Sequence, residues 1–180
     1  MHDKGIRVTP RSRSEIGAIA DGVRKLSGYS SNVLIFPIVE FLEFRLQMIV
    51  PGFQYEIWQD GSLEKKARAL TYPNQRIILI EESVYDGACR GVGRDRMTIS
   101  HEIGHLILHT GVPLAKNYEK VDIKVYENSE WQADVFAGEL LAPIRLIRDM
   151  RPEEVADKFQ ISYYAANAQL KALDKILRCA

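Results

Sequence analysis

The segment MTISHEIGHLILH, residues 97–109, carries two histidines and a glutamate at a spacing that suits metal chemistry. On an α-helix, residues four apart lie one turn above each other, so His101 and His105 can direct their imidazoles at one cation. Glu102 projects beside them, toward a water molecule held by that cation. Because the chain has only 4 histidines, a chance HExxH motif is improbable, and the segment predicts a metal site.

The apolar residues of the same segment indicate which face of this helix is buried. The predicted core-facing stripe consists of Ile99, Ile103, Leu106 and Ile107. A glycine inside a helix costs about 1 kcal/mol relative to alanine, so Gly104 predicts the close approach of a neighbouring element. His109 lies roughly 9 Å along the axis from a cation shared by the two histidines, which is too far for a ligand. Its place at the helix C-terminus favours partial protonation.

A catalytic zinc ion needs a third protein ligand and an open position for water. The best candidate is Glu130, because Glu130 and Asp134 share the polar face of an amphipathic helix. Glu130 can then bind the metal while Asp134 accepts the ring N–H of a histidine ligand. A solvated acidic helix edge is the alternative interpretation, with Glu127 as the substitute ligand. The other acidic residues considered are Glu119, Asp122 and Glu139.

The flanking sequence predicts the elements that hold this site. Alternating and β-branched runs within residues 53–85 predict three short strands of a small sheet, with tight turns at Asp60-Gly61 and Pro73-Asn74. A glycine-rich loop, DGACRGVGRDR, precedes the motif helix, and a polar loop lies near Asn117. The predicted helices span residues 14–27 (with Ser14 as N-cap), 37–48, 97–109 and 129–141, followed by a pair between Pro152 and Cys179.

Composition limits the class of protein. The chain has 180 residues, 46% of them hydrophobic, so we expect one compact domain, or a core with a small appendage. With 24 Lys+Arg against 24 Asp+Glu, it lacks the basic footprint that gripping nucleic acid requires. Cys89 and Cys179 form no CxxC pair and indicate free thiols in a reducing cytosol. Without a signal-like or bilayer-length apolar segment, we expect a soluble, cytoplasmic protein with no membrane contact.

Two separated motifs, DRMTISHEIGHLILH and EWQADVFAGELLAP, resemble the ImmA/IrrE family of zinc metallopeptidases. With the arginine-rich lead, they cover residues 94–109 and 130–143, and the order of predicted elements is similar over most of the chain. The resemblance implies a gluzincin-like enzyme whose substrates are helix-turn-helix transcriptional repressors that control mobile-element or stress genes. It also implies a zinc ligand set of His101, His105 and Glu130, with Glu102 as the catalytic base.

The chain departs from the family pattern at two positions. Asp134 stands where many members have Asn, and Ala142 stands where many have Met. Neither change removes a ligand, although the first can alter how the histidine ring is held.

A zinc site of this kind predicts a hydrolytic mechanism. Zinc lowers the pKa of its water toward about 7 and polarises a peptide carbonyl, while Glu102 takes the water proton and delivers it to the leaving amine. The developing oxyanion needs a further donor. The candidates are Tyr126, Tyr163, Tyr164 and the arginines of GVGRDR, with ordinary packing or solvation as the alternative for each. An extended peptide can add to a sheet edge near residues 67–72 or 76–80.

These observations predict an α+β, zincin-like metallopeptidase core at residues 1–145 and a C-terminal helix-turn-helix-like part at 146–180, packed on the core. Asn167, Gln169 and Lys171 are the base-reading residue types of the last helix, so substrate docking or packing is favoured over direct DNA binding. The competing function is a regulatory interaction or DNA-binding module with a structural or vestigial zinc site. Small peptides or non-peptide amides also remain open as substrates.

Overall fold

The computed structural model describes residues 5–29, 33–64, 67–111 and 123–179. The helices are α1 (Arg13–Leu26), α2 (Ile38–Glu40), α3 (Leu46–Ile49), α4 (Glu82–Cys89), α5 (Gly93–His109), α6 (Ser129–Leu141), α7 (Pro152–Phe159) and α8 (Tyr163–Cys179). The strands are β1 (Gln54–Trp58), β2 (Ala69–Tyr72) and β3 (Ile77–Glu81). This arrangement confirms the predicted α+β class. Along the chain, helices precede and follow the three strands of a small sheet. The polar loop predicted near Asn117 lies outside the described residues.

Helix α1 begins earlier than the sequence pattern predicts, because Ser12 and Glu15 form a capping box. Ser12 Oγ accepts a hydrogen bond from Glu15 N at 3.2 Å, and the Glu15 carboxylate accepts one from Ser12 N at 2.7 Å. Ser14, the expected N-cap, therefore lies inside the helix. The buried face of α1, which contacts α6, includes Ile16, Ala20 and Val23.

The helix predicted at residues 37–48 is present, but its middle is wider than an α-helix. A π-helical turn, Phe41–Arg45, joins α2 to α3. The apolar side of this helix is buried, with Phe41 and Leu46 at 0% exposure and Leu42 at 1%. A π-helical turn adds one residue to the turn, a change that apolar spacing alone does not predict.

The three predicted strands form one sheet in the order β1-β3-β2, so the last strand lies in the centre. Strand β3 pairs parallel with β1 and antiparallel with β2. It is the most buried strand, with Ile78 and Ile80 at 0% exposure, which suits a position between two neighbours. The turn at Pro73–Gln75 joins paired strands. The turn at Asp60-Gly61 lies on a connection between β1 and β2, which are not neighbours.

The glycine-rich segment predicted as a loop before the motif helix is largely helical, and that prediction is wrong. Helix α4 occupies its first part, and α5 begins at Gly93 rather than at residue 97. The reversal between the helices needs only Gly91, whose φ is +81°. Gly93 allows a close approach, because a Cβ there would lie 2.4 Å from the main-chain carbon of Ile161. Gly91 therefore serves the turn between α4 and α5, and Gly93 serves the contact with the segment before α8.

Helix α5 lies at the centre of the fold and contacts α4, α6, β2 and β3. Of its four predicted core residues, Ile99, Ile103 and Leu106 are 0% exposed, whereas Ile107 is only partly buried against the core. A Cβ built on Gly104 would lie 3.1 Å from the Cα of Ala133 on α6. The predicted close approach at Gly104 is confirmed, and it brings the helix of the histidines against the helix of the acidic residues.

The two C-terminal helices are present, and they contact the rest of the chain. The Ser162 hydroxyl caps α8 by accepting a hydrogen bond from the main-chain N–H three residues on, at 3.2 Å. Gln169 Nε2 donates to the carbonyl oxygen of Ala142, at the end of α6, at 2.9 Å. The division into parts at 1–145 and 146–180 stays a prediction.

The described helices are too short, or too polar, to cross a membrane. The longest of them, α5 and α8, have 17 residues each, whereas a spanning helix needs about 20 apolar residues. The cytoplasmic location expected from the sequence stays a prediction.

Candidate metal centre

Helix α5 presents His101 and His105 on one face, one turn apart. Their Nε2 atoms lie 3.0 Å apart, and their ring centroids lie 4.7 Å apart. Two unprotonated Nε2 atoms at this distance repel each other unless a proton or a cation lies between them. The HExxH spacing therefore supplies two of the donors of a cation site.

The third donor, Glu130, comes from the first turn of α6. The Asn128 side chain caps this helix by accepting a hydrogen bond from Trp131 N at 3.0 Å, which fixes where the first turn begins. The two carboxylate oxygens of Glu130 lie 3.3 Å from His101 Nε2 and 3.4 Å from His105 Nε2. The structure thus brings together the three residues that the sequence nominates as ligands.

The alternative acidic ligands do not join this group. Glu127 accepts a hydrogen bond from Arg7 Nη2 at 3.1 Å, and Glu139 accepts one from Arg13 Nη1 at 2.9 Å. The remaining alternatives, Glu119 and Asp122, lie outside the described residues. Glu127 and Glu139 therefore each form an ion pair with an arginine instead of joining the two histidines.

The donor groups of the three residues are spaced suitably for a tetrahedral cation. Bonds of about 2.0–2.1 Å at tetrahedral angles separate neighbouring ligand atoms by about 3.3 Å. The two Nε2 atoms lie 3.0 Å apart, and each lies 3.3 or 3.4 Å from a different oxygen of the Glu130 carboxylate. Among the described residues, His101, His105 and Glu130 form a group that could hold a metal ion, with one atom of each within 4.8 Å of the others. Two imidazoles and one carboxylate also match the donor set of catalytic metal sites with an open position.

Asp134, one turn after Glu130 on α6, contacts the other ring nitrogen of His101. His101 Nδ1 and Asp134 Oδ1 lie 2.8 Å apart. Burial opposes the charged imidazole, but the hydrogen bonds with Asp134 and Glu130 prevail and raise the pKa of His101 to about 10. Burial also disfavours the Glu130 carboxylate, yet its bonds with the histidines lower its pKa overall. In the metal-free protein, a protonated His101 therefore lies between two carboxylates and offsets one of their two negative charges.

Glu102 lines the same cleft and is 8% exposed. Thr71, on β2, donates its hydroxyl to Glu102 Oε2 at 2.6 Å, and the same hydroxyl lies 3.0 Å from the Glu102 carbonyl oxygen. A β-branched side chain on a strand is stiff, so this bond fixes the direction of the carboxylate. Sequence reasoning missed Thr71, because a single threonine in a strand carries no signal until β2 lies beside α5.

His109 is buried at 4% exposure, one turn beyond His105. Its Nδ1 lies 3.1 Å from His105 Nδ1, and its Nε2 lies 3.3 Å from Gln132 Oε1. Burial, assisted by the charge of His105, lowers the pKa of His109 to about 4. The expected partial protonation at the helix end is wrong, because the side chain is turned into the protein and away from water.

An open cleft of about 380 Å³ contains the donor atoms and Glu102. Strand β2 lines it through Ala69, Leu70 and Thr71. Within the described residues, β2 pairs with β3 alone, so its other edge has no strand partner. The alternative docking edge predicted at residues 76–80 is wrong, because β3 is paired on both sides.

The three tyrosines predicted as oxyanion or substrate contacts are on the surface. Tyr164 is 83% exposed and lines a second hollow of about 790 Å³, which shares His101 and Glu130 with the cleft. Tyr126 and Tyr163, at 42% and 54% exposure, line neither hollow. The catalytic roles predicted for these tyrosines stay predictions.

Arg96, one of the arginines considered as an oxyanion donor, holds main chain instead. It is 4% exposed and donates to the carbonyl oxygens of Gln160 and Phe36, both at 2.9 Å. The guanidinium fastens α5 to the segment before α2 and to the turn before α8. The packing alternative is therefore correct for Arg96.

The site consists of two histidines on one helix, a glutamate between them and a second glutamate from a later helix, beside a small sheet. This arrangement is typical of zincin-like metallopeptidases. The model of the peptidase M78 family, described as an IrrE N-terminal-like domain, matches residues 63–171. Because this match covers more than half of the chain, the chain belongs to that family. The resemblance to ImmA/IrrE proteins is confirmed, and family membership implies a metal ion at the site.

A solved structure of similar fold is that of a Mycobacterium tuberculosis transcriptional regulator, with a TM-score of 0.52 and 15% sequence identity. The similarity covers 85% of this chain and 45% of the regulator, so this chain spans less than half of that protein. At this identity the likeness concerns the fold. No curated protein sequence gives a significant match.

Proposed function

We propose that the protein is a zinc-dependent endopeptidase. The observation that carries this proposal is the convergence of His101, His105 and Glu130, with donor separations of 3.0–3.4 Å, beside Glu102. Imidazole and carboxylate ligands suit zinc, and three protein ligands leave a position open for chemistry. Membership of a metallopeptidase family supports the same assignment.

Each side chain of the site has a separate role in the proposed hydrolysis of a peptide bond. Zinc bound here supplies a Lewis acid for the peptide carbonyl and a water molecule that ionises near neutral pH. Glu102 accepts the proton of that water and delivers it to the leaving amine. Thr71 binds Glu102 Oε2, which leaves Oε1 to accept the proton. Asp134 accepts the Nδ1–H of His101, so the Nε2 lone pair points into the cleft.

The outer edge of β2 is the proposed docking site of the substrate backbone. An extended peptide that pairs with a strand gains main-chain hydrogen bonds, and it would run along the wall of the cleft beside Glu102. Alternate side chains of such a peptide point to opposite faces, so a defined bond can be brought to the metal. This arrangement supports an endopeptidase, which must accept chain on both sides of the bond.

The proposed substrate is a helix-turn-helix transcriptional repressor, in the cytoplasm, that controls mobile-element or stress genes. The support is the ImmA/IrrE family assignment and a fold neighbour that is itself a transcriptional regulator. We assign residues 1–145 as the peptidase core and 146–180 as a helical part that docks this protein substrate. Neither direct DNA binding nor a membrane is part of this proposal.

Cleavage assays with a matched pair of variants test the function. Zinc-loaded protein is incubated with purified helix-turn-helix repressors from the same cell, and products are identified by mass spectrometry. Glu102→Gln should keep the fold and the zinc but abolish cleavage, because an amide cannot take the proton. Glu82→Gln, which changes an exposed glutamate at the start of α4, outside the cleft and outside residues 146–180, should cleave like the wild type. Equal cleavage by the Glu102→Gln protein would overturn the mechanism.

The same variants separate the peptidase from a regulatory or DNA-binding module with a structural zinc. A module would show no cleavage in either protein and equal partner binding by wild type and Glu102→Gln. Its binding would be lost on removal of residues 146–180. A peptidase loses cleavage with Glu102→Gln while the zinc content is unchanged.

A further inference from the structure

His109 and Gln132 form a buried polar pair that the proposed mechanism does not use. They are 4% and 0% exposed, and they lie between the metal centre and the N-terminal segment. Polar side chains buried so completely need hydrogen-bond partners. Their contacts form a series that runs from main-chain carbonyl oxygens through Gln132 and His109 to His105.

Gln132 has an unambiguous orientation. Its Nε2 donates to two carbonyl oxygens, those of Thr9 and Tyr126, each at 2.8 Å. Both partners can only accept, so the amide nitrogen is on their side and the amide oxygen faces His109. Because Gln132 Oε1 can only accept, His109 Nε2, at 3.3 Å, must carry a hydrogen.

The other nitrogen of His109 meets a metal ligand. His109 Nδ1 and His105 Nδ1 lie 3.1 Å apart. A histidine that binds a cation through Nε2 carries its proton on Nδ1, so His105 must donate there. His109 Nδ1 must then accept, which agrees with the hydrogen that Gln132 already places on His109 Nε2. One assignment of protons therefore satisfies every contact in this series, which we call the relay: Gln132 to His109, and His109 to His105.

We propose that His109 and Gln132 are positioning residues, which fix the tautomer and the ring direction of His105 as Asp134 fixes those of His101. The inference rests on the metal site of the proposed function. The two ligands then have unlike supports, since His101 has an exposed carboxylate and His105 a buried neutral imidazole. The neutral support holds its ligand without adding negative charge to the site.

Two substitutions at His109 separate positioning from packing. His109→Phe fills the space but removes the acceptor, whereas His109→Asn leaves a cavity but puts an oxygen near the position of Nδ1. Loss of a group that orients a metal ligand costs about 10–100-fold in metal affinity. We expect zinc affinity, measured by competition with a chelator, to fall by that factor in His109→Phe and by less than about threefold in His109→Asn. A packing role predicts the reverse order.

Gln132→Leu tests the contact between Gln132 and His109, which is the part of the relay farther from the metal ligands. It should weaken zinc binding about tenfold, and in the His109→Phe background it should cost nothing further, because the relay is already broken. Gln169→Leu is the matched control, since Gln169 is a buried glutamine whose amide donates to main chain far from the metal ligands. The control should bind zinc like the wild type.

The outcomes distinguish this inference from the proposed function. If the wild type binds no zinc, the metal centre itself is refuted. If the wild type binds zinc and Glu130→Ala does not, but His109→Phe binds it within threefold of the wild type, only the positioning role is overturned. If His109→Phe does not fold, Gln132→Leu decides in the same way, by a tenfold loss or by unchanged affinity. Nitrogen NMR of the zinc-loaded wild type should show His105 protonated at Nδ1, and protonation of His109 Nδ1 would contradict the relay.

Discussion

The substitution Gly104→Ala, which adds one methyl group, tests the contact between α5 and α6. A Cβ at this position would lie 3.1 Å from Ala133 Cα and 3.1 Å from Phe136 Cδ1. Ordinary carbon contacts need about 3.5–4.0 Å, so α6 must move by a few tenths of an ångström to admit the methyl group. Because α6 carries Glu130, this movement shifts the third donor relative to the two histidines.

Two opposing effects set the change in the free energy of unfolding that Gly104→Ala causes. Alanine in place of glycine inside a helix stabilises by about 1 kcal/mol, whereas overpacking a close contact costs about 1–3 kcal/mol. Gly22 in α1 offers the matched control, because a Cβ there meets no described atom within 4 Å. Gly22→Ala should therefore gain about 1 kcal/mol, and Gly104→Ala should be less stable than that variant by about 1–3 kcal/mol.

Thermal unfolding and zinc titration measure both consequences. For a chain of this length the difference corresponds to a Tm separation of roughly 2–12 °C between the two variants. Zinc should bind to Gly104→Ala more weakly than to the wild type, and to Gly22→Ala with unchanged affinity. If Gly104→Ala were as stable as Gly22→Ala and bound zinc normally, the helix contact would not position Glu130.

Three further predictions follow from the site. Thr71→Val removes the hydroxyl that orients Glu102 and should lower kcat by roughly tenfold to a hundredfold with zinc content unchanged, while Thr71→Ser should retain most of the activity. Asp134→Leu removes the acceptor of the His101 ring N–H and should weaken zinc binding by about 10–100-fold, so an affinity equal to that of the wild type would contradict its supporting role. Because the pKa of His101 is raised to about 10, its proton must leave before zinc binds. Calorimetry at pH 7.5 in buffers of different ionisation enthalpy should therefore detect at least one released proton, with affinity rising as pH rises toward 10; a pH-independent affinity would refute this account.

The parts of the site that obey helix spacing could be predicted from the sequence. His101 and His105 share a face because they are four residues apart, and Glu130 and Asp134 share one for the same reason. The two helices meet at a glycine, which the sequence also marks. Local periodicity therefore predicts both halves of the metal centre and the place where they touch.

The parts that depend on distant contacts could not be predicted. Thr71 reaches Glu102 only because β2 takes the edge of the sheet next to α5, and strand order does not follow from strand propensity. His109 is neutral because of burial by other elements, which overrides the helix-end effect. Arg24, a charged residue in the pattern of α1, is 0% exposed and donates to the carbonyl oxygens of Leu140 and Val33.

The central claim is that one metal ion is held jointly by the histidines of α5 and the glutamate of α6. The most direct measurement is the metal content of the purified protein, compared with that of Glu130→Ala after equal dialysis. We predict about one zinc ion per wild-type chain and almost none in the variant. A wild-type protein without metal, or a Glu130→Ala protein that keeps its zinc, would contradict the account.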